Sequence, residues 1–253
     1  MKIYVCTHKV VPNKIPKNYE YIYVNAKNNK INNALTDATG DNISEKNPYY
    51  CELTAAYWIW KNDKDNEIVG LVHYRRFLTT NVLSNSIRYY LNSPKIEKNL
   101  KKYDFIATKP YKSINKVKDH LMENVSKKDY ESIEFVINKY FPFYKESFDC
   151  VMNGNSSYLL NVFITTKNKW DDYYNWLFSV FDKLEPLVDM TNYSVQQQRL
   201  YGFLSERLFT VYIYAHKFTV KSYRIHIVGE SKLKTARQKM ARILKIKKNS
   251  LRK

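Results

Sequence analysis

Glycine is scarce in this chain, with 5 residues among 253. A phosphate-cradling loop needs closely spaced glycines, and repeat β-architectures use glycine at their turns, so neither is expected. Cysteine is almost as rare. Cys6, Cys51 and Cys150 form no CxxC and stand far apart, which argues against a disulfide framework and fits core thiols in a reducing compartment. The five histidines form no HExxH, so no zinc pattern is present. No run approaches the ~20 apolar residues of a membrane span. Met1 leads straight into an Ile-Tyr-Val pattern with no apolar region of signal-peptide length. The expectation is a cytoplasmic protein.

What is abundant is aromatic surface and positive charge. The chain has 23 Tyr, 12 Phe and 4 Trp with 44% hydrophobic residues, enough to bury a core and inconsistent with wholesale disorder. Lys and Arg number 42 against 24 Asp and Glu, a net charge of +18, so an anionic partner is expected. Residues 231–253 hold ten Lys or Arg and no acid, more than half of that excess. Two regions follow: a folded domain over 1–230 and a basic tail over 231–253. In the tail, Leu233, Ala236, Met240, Ile243 and Leu244 recur at helical spacing, the pattern of an amphipathic helix able to lie on an anionic membrane surface.

Short β-branched and aromatic runs at Lys2–Cys6, Tyr19–Val24, Ile68–Val72, Asp104–Thr108 and Tyr158–Thr165 predict strands. Helical patterns cover Pro48–Trp60, with Asn47 as N-cap, then Lys169–Leu187 and Ser194–Tyr214. Residues 25–46 read as a long polar loop of the kind that carries function. Strands alternating with helices predict an α/β fold, a mixed sheet with a largely parallel centre.

Glu52 is the lone charge of an otherwise uncharged, largely apolar helix, and a buried carboxylate needs a partner. His73, Tyr74, Arg75 and Arg76 follow the five-residue apolar strand directly, at the strand end where α/β sheets collect ligands. Guanidinium forks match phosphate oxygens. Thr7, His8 and Lys9 follow the first strand and could reach a nucleotide or phosphate. Glu206, in an apolar helix with Arg199 seven residues earlier on about the same face, is the candidate general base. Phe141–Tyr144 offers an aromatic platform for a sugar. Asp63-Lys64-Asp65 lies before the strand and reads as a solvated turn.

Thr39-Gly40-Asp41-Asn42-Ile43-Ser44, Asn47 with Tyr50-Cys51-Glu52-Leu53-Thr54, Tyr57-Trp58-Ile59-Trp60-Lys61-Asn62 and Gly70-Leu71-Val72-His73-Tyr74-Arg75-Arg76-Phe77 together resemble the signature of a bacterial surface-polysaccharide glycosyltransferase family, long catalogued as a domain of unknown function (4422). The likeness continues through Thr7-His8-Lys9, Phe141-Pro142-Phe143-Tyr144, Asn161-Val162-Phe163-Ile164, Arg199 and Tyr201–Leu208, and spans about residues 1–214.

The resemblance implies a GT-A-like, Rossmann-like sheet and a transferase moving a sugar from a nucleotide-sugar donor, most plausibly a UDP-hexose, to a glycan or lipid-linked acceptor in capsule, exopolysaccharide or O-antigen assembly, peripheral on the inner membrane face. It implies donor contacts from Thr7, His8, Lys9, Asp41, Asn42, Asn47, Glu52, His73, Tyr74, Arg75 and Arg76, and sugar or acceptor contacts from Asn161, Arg199 and Tyr144.

The strand that carries an Asp-x-Asp metal motif in GT-A enzymes ends here in His-Tyr-Arg-Arg. Two readings stay open: a metal-free cationic clamp, or Mn²⁺ or Mg²⁺ held by His73 with Asp41 or Glu52. From other classes come a basic nucleic-acid-binding protein, which lacks any RNP, finger or helix-turn-helix signature, and a membrane-associated scaffold. Nucleic acid is not the expected partner.

Overall fold

The computed structural model describes residues 1–229 apart from 12–13, 28–32, 83 and 85. In β1 (Lys2–Thr7), Ile3 and Val5 enter one buried cluster while Tyr4 and Cys6 enter another. Side chains alternate across a strand, so β1 is covered on both faces, and its run of apolar residues follows from that. The same alternation separates Ile106 from Phe105 and Ala107 in β5 (Phe105–Thr108).

The further strands are β2 (Tyr19–Tyr23), β3 (Ile68–His73), β4 (Arg76–Thr79), β6 (Tyr111–Lys112), β7 (Ser156–Ser157), β8 (Phe163–Thr166) and β9 (Val220–Ile227). The main sheet runs β2-β1-β3-β4-β9-β5-β8, and β8 also pairs with β3, so β3, β4, β9, β5 and β8 close into a ring. Pairings are parallel for β2–β1–β3 and β5–β9. The sheet is therefore mixed, as expected, but its centre is not largely parallel. β8 runs antiparallel to both β3 and β5, because the chain re-enters the sheet at the carboxyl end of β3 through Leu160–Asn161.

The helices are α1 (Asn47–Tyr50), α2 (Leu53–Asn62), α3 (Ser93–Leu100), α4 (Val117–Leu121), α5 (Lys127–Tyr140), α6 (Lys145–Asn153), α7 (Lys167–Leu184), α8 (Val195–Gln198) and α9 (Leu200–Ala215). Of these, α3 alone sends a buried side chain, Ile96, into the Ile3–Val5 cluster. The other face holds the larger core, where Phe163 stacks on Phe209 with ring centroids 4.5 Å apart and Trp170 is fully buried.

Several elements differ from the sequence expectation. The helix over 48–60 is broken at Cys51, whose φ of 53° and ψ of −130° end α1 and start α2. Asn47 is the first residue of α1, not its cap, and uses its side chain across the break: Nδ2 donates to the Cys51 carbonyl at 2.8 Å and to Thr54 Oγ1 at 3.0 Å. The strand expected over 158–165 begins only at Phe163, because Leu160 and Asn161 are left-handed at φ 80° and 49°. The helix expected from Ser194 divides at Arg199, with Ser194 capping α8 through a reciprocal bond with Gln197.

The described part of the polar loop over 25–46 has little regular structure but is anchored. Asp37, fully buried, accepts from the Asn25 and Ala26 N–H groups, Ser44 Oγ and Thr54 Oγ1. The C-terminal amphipathic helix expected over 231–253 lies outside the described residues.

Candidate active site

Parallel pairing of β1 with β3 sets Cys6 opposite His73, so the segments leaving both strands emerge side by side. Above them opens a cavity of about 1030 Å³. Its walls come from Thr7 and His8 after β1, Asn25 after β2, Asn47, Cys51 and Glu52 at the α1–α2 break, His73, Tyr74 and Arg76 at the β3–β4 turn, Leu160 before β8, and Gln198, Arg199, Phe203 and Glu206 on α8–α9. Crevices at the carboxyl ends of parallel strands are where α/β folds bind ligands.

Two carboxylates face this space, and one pair of backbone-strained residues holds both. Asn161 Nδ2 donates to Glu52 Oε1 at 2.7 Å and to Ser205 Oγ at 2.8 Å. The N–H of Leu160 donates to Glu206 Oε1 at 2.9 Å. Left-handed conformations in non-glycine residues cost energy and cluster at functional sites. Cys51, also at positive φ, delivers Glu52 to the cavity and lies beside Gly202, where an added Cβ would come into ordinary contact with Cys51 Sγ at 3.4 Å.

Glu206 is pushed up to about 7, first by burial and also by the neighbouring Glu52; Arg207, the Leu160 N–H and Arg76 pull the other way. Arg207, 2% exposed, donates Nη1 to Glu206 Oε2 at 2.5 Å, and its Nη2 lies 3.2 Å from His120 Nδ1.

Facing the carboxylates are cations. Arg76 Nη1 lies 3.4 Å from His73 Nδ1, so the ring accepts there, and burial lowers the His73 pKa. His73 Nε2 is buried with no partner at hydrogen-bond distance, although the Leu160 carbonyl favours a proton on the ring. Arg199 points its Nε at Cys51 Sγ, 3.4 Å away. Burial pushes the Cys51 thiol up to about 11, so it stays protonated near neutrality.

The cavity thus brings together Thr7, His8, Asn47, Glu52, His73, Tyr74, Arg76, Arg199 and Glu206. Asn161 lies just behind its wall, buried. Lys9 stands at the rim, its Nζ 5.5 Å from the Tyr74 ring centroid. Arg75 is exposed on the turn, its carbonyl accepting from Val228 N–H.

Three expected residues lie elsewhere. The Asp41 N–H donates to Oδ1 of Asn62, the last residue of α2, and its carboxylate accepts from Tyr57 at mid-helix, away from Glu52. Asn42 closes a local turn onto the Gly40 carbonyl. Tyr144 packs on Trp176 and meets His216 Nε2 at 2.9 Å, at the opposite end of α9 from Arg199.

His73 and Asp41 are therefore not brought together, and no group of three or more His, Cys, Asp or Glu suited to a metal occurs among the described residues. Asp63 is committed to Tyr4 and Asn66. His73 and Glu52, the other expected pair, both line the cavity. Sequence reasoning gave no role to Leu160 and Gln198, which carry no local signal, nor to Phe203 and Arg207, which lie in the Tyr201–Leu208 block.

Among solved structures, the chain is similar to the apo structure of the WbbM bifunctional glycosyltransferase, with a TM-score of 0.83 and 30% identity over 90% of this chain and 45% of that one. It thus spans less than half the length of that protein. Among curated proteins no match is found. The model of the family described as a domain of unknown function (DUF4422) matches residues 2–217, and the chain belongs to that family.

Proposed function

We propose that this protein is a glycosyltransferase that moves a hexose from a nucleotide diphosphate donor, most simply a UDP-sugar, to a hydroxyl of a surface-polysaccharide intermediate. The observation that carries the reading is the cavity at the ends of β1 and β3, where Glu52 and Glu206 oppose His73, Arg76 and Arg199. Likeness to part of a bifunctional glycosyltransferase supports it.

In this reading Thr7 and His8 meet the nucleotide. Arg76 and Arg199 meet the diphosphate, where guanidinium groups stabilise the charge that grows as the sugar–phosphate bond breaks. Glu52, fixed by Asn161, accepts from sugar hydroxyls. Glu206 takes the proton of the acceptor hydroxyl as that oxygen bonds to the anomeric carbon, and the electron pair of the broken bond leaves on the diphosphate. A base with a pKa near 7 suits this step: it is ionised in part at neutral pH and still basic enough to accept a proton. The cations take the place that a divalent metal fills in other such sites. A glycan or lipid-linked acceptor in capsule, exopolysaccharide or O-antigen assembly, and work at the inner membrane face, complete the proposal.

Calorimetric titration of UDP and UDP-sugars, with Mn²⁺ and then with EDTA, tests it. Micromolar binding that survives EDTA and is weakened in Arg76→Ala is expected. Failure of every nucleotide sugar to bind would overturn the reading.

A further inference from the structure

The sheet face covered by α3 carries a second surface feature, distinct from the cavity. Three adjoining hollows lie there. One, of about 310 Å³, is lined by Arg88, Lys95 and Lys98 with Thr80, Tyr90 and Asn92. The next, lined by Lys17, Asn18 and Ser93, shares Asn92 and Pro94 with the first. The third, lined by Lys14, Ile87, Val228 and Gly229, shares Tyr90 with the first.

No acidic residue lines any of the three. Lys14, Lys17, Arg88, Lys95 and Lys98 are exposed and form no ion pair with a described residue; Glu97, the acid of α3, lines none of the hollows. Cations left without an acidic partner on one face attract an external anion; among the described residues Arg88 meets only the Tyr89 hydroxyl and ring. Ile87, 37% exposed, adds an apolar contact among them.

Two further observations choose the occupant. The described chain ends in this face, at Gly229, and the sequence beyond it holds ten Lys or Arg against one acid, Glu230. The face also borders the cavity mouth, because Val228 N–H bonds the Arg75 carbonyl in the β3–β4 turn.

We infer that the α3 face is a docking surface for anionic phospholipid headgroups. It holds the cavity mouth beside the membrane. A broad array of dispersed cations with an exposed apolar residue matches a surface of many phosphates, each Lys or Arg adding to the attraction. The inference concerns a surface outside the cavity and does not depend on the transferase reading.

The test is flotation of the full-length chain with phosphatidylcholine vesicles with and without 30% phosphatidylglycerol, that percentage being on the order of the anionic content that gives a cytoplasmic-leaflet potential. The wild type is compared with Arg88→Glu/Lys95→Glu/Lys98→Glu and with a matched reversal on the other layer, Lys128→Glu/Lys139→Glu/Lys145→Glu.

Binding to the anionic vesicles only, weakened about tenfold or more by the α3 triple and markedly less by the control, is expected. Equal loss in both variants would reduce the effect to net charge, and no loss in the α3 triple would leave the tail as sole anchor. Either overturns the inference, as does an RNA duplex that binds with the same α3 dependence while vesicles do not. All three chains should melt alike, since these side chains are exposed.

Discussion

Asn161 donates its Nδ2 to Glu52 Oε1 at 2.7 Å from a left-handed backbone at φ 49°. The preceding residue, also left-handed, gives its N–H to Glu206. One strained turn at the entry to β8 therefore fixes both carboxylates of the cavity, and strain there is expected to be linked to function.

Asn161→Gly keeps that turn accessible while removing the amide, whereas Asn161→Ala removes the amide and adds steric strain. Both should lower transfer about 10²-fold by releasing Glu52. The alanine variant should be less stable than the glycine variant by about 1–2 kcal/mol in urea denaturation. Full activity in either would remove Asn161 from the site.

Transfer should rise with pH through about 7 as Glu206 ionises, and Glu206→Gln should lower it. The loss should be about 10²–10⁴-fold and the rising limb should vanish. Stability carries the opposite sign. The folded pKa stands above the ordinary 4.5, so between 4.5 and about 7 the folded chain binds more protons than the unfolded one, and stability falls as pH rises through this window. Denaturation at several pH values should show that slope flattened in Glu206→Gln.

Arg207 is buried against Glu206, so Arg207→Met leaves an unpaired carboxylate. A loss of about 3–5 kcal/mol at pH 8 is expected, smaller at pH 5.5 where Glu206 is protonated, and largely restored in Glu206→Gln/Arg207→Met. A pH-independent loss would show that packing of the Arg side chain, rather than its charge, matters.

Arg76→Ala should weaken nucleotide diphosphate binding about 10- to 100-fold, the worth of a charged hydrogen bond, in calorimetry with EDTA present. Arg76→Lys should restore only part of it, since an ammonium lacks the planar fork. Unchanged binding in both variants would move the diphosphate away from the β3–β4 turn.

Much of this was legible in the chain itself. The runs that become β1, β3 and β5 are nearest-neighbour patterns, and their burial on both faces follows from composition alone. Glu52 stood out as the lone charge between apolar residues, and the cations after β3 stood out because the apolar run stops there. Such signals are local, so the sequence determines them by itself.

Tertiary structure decided the rest. Asp41 and Asn42 share the motif-rich block with Glu52, yet Asp41 is held by Tyr57 and Asn62 along α2, away from Glu52, and Asn42 closes a local turn onto Gly40. Tyr144 is drawn into the core by Trp176 and Tyr212. The antiparallel course of β8 and the raised pKa of Glu206 depend on groups distant in sequence: the Leu160–Asn161 turn, and the burial of Glu206 beside Glu52. Residue identity chose the chemical groups. Long-range packing chose which of them share a cavity, because burial and field at a site are sums over neighbours that no local pattern contains.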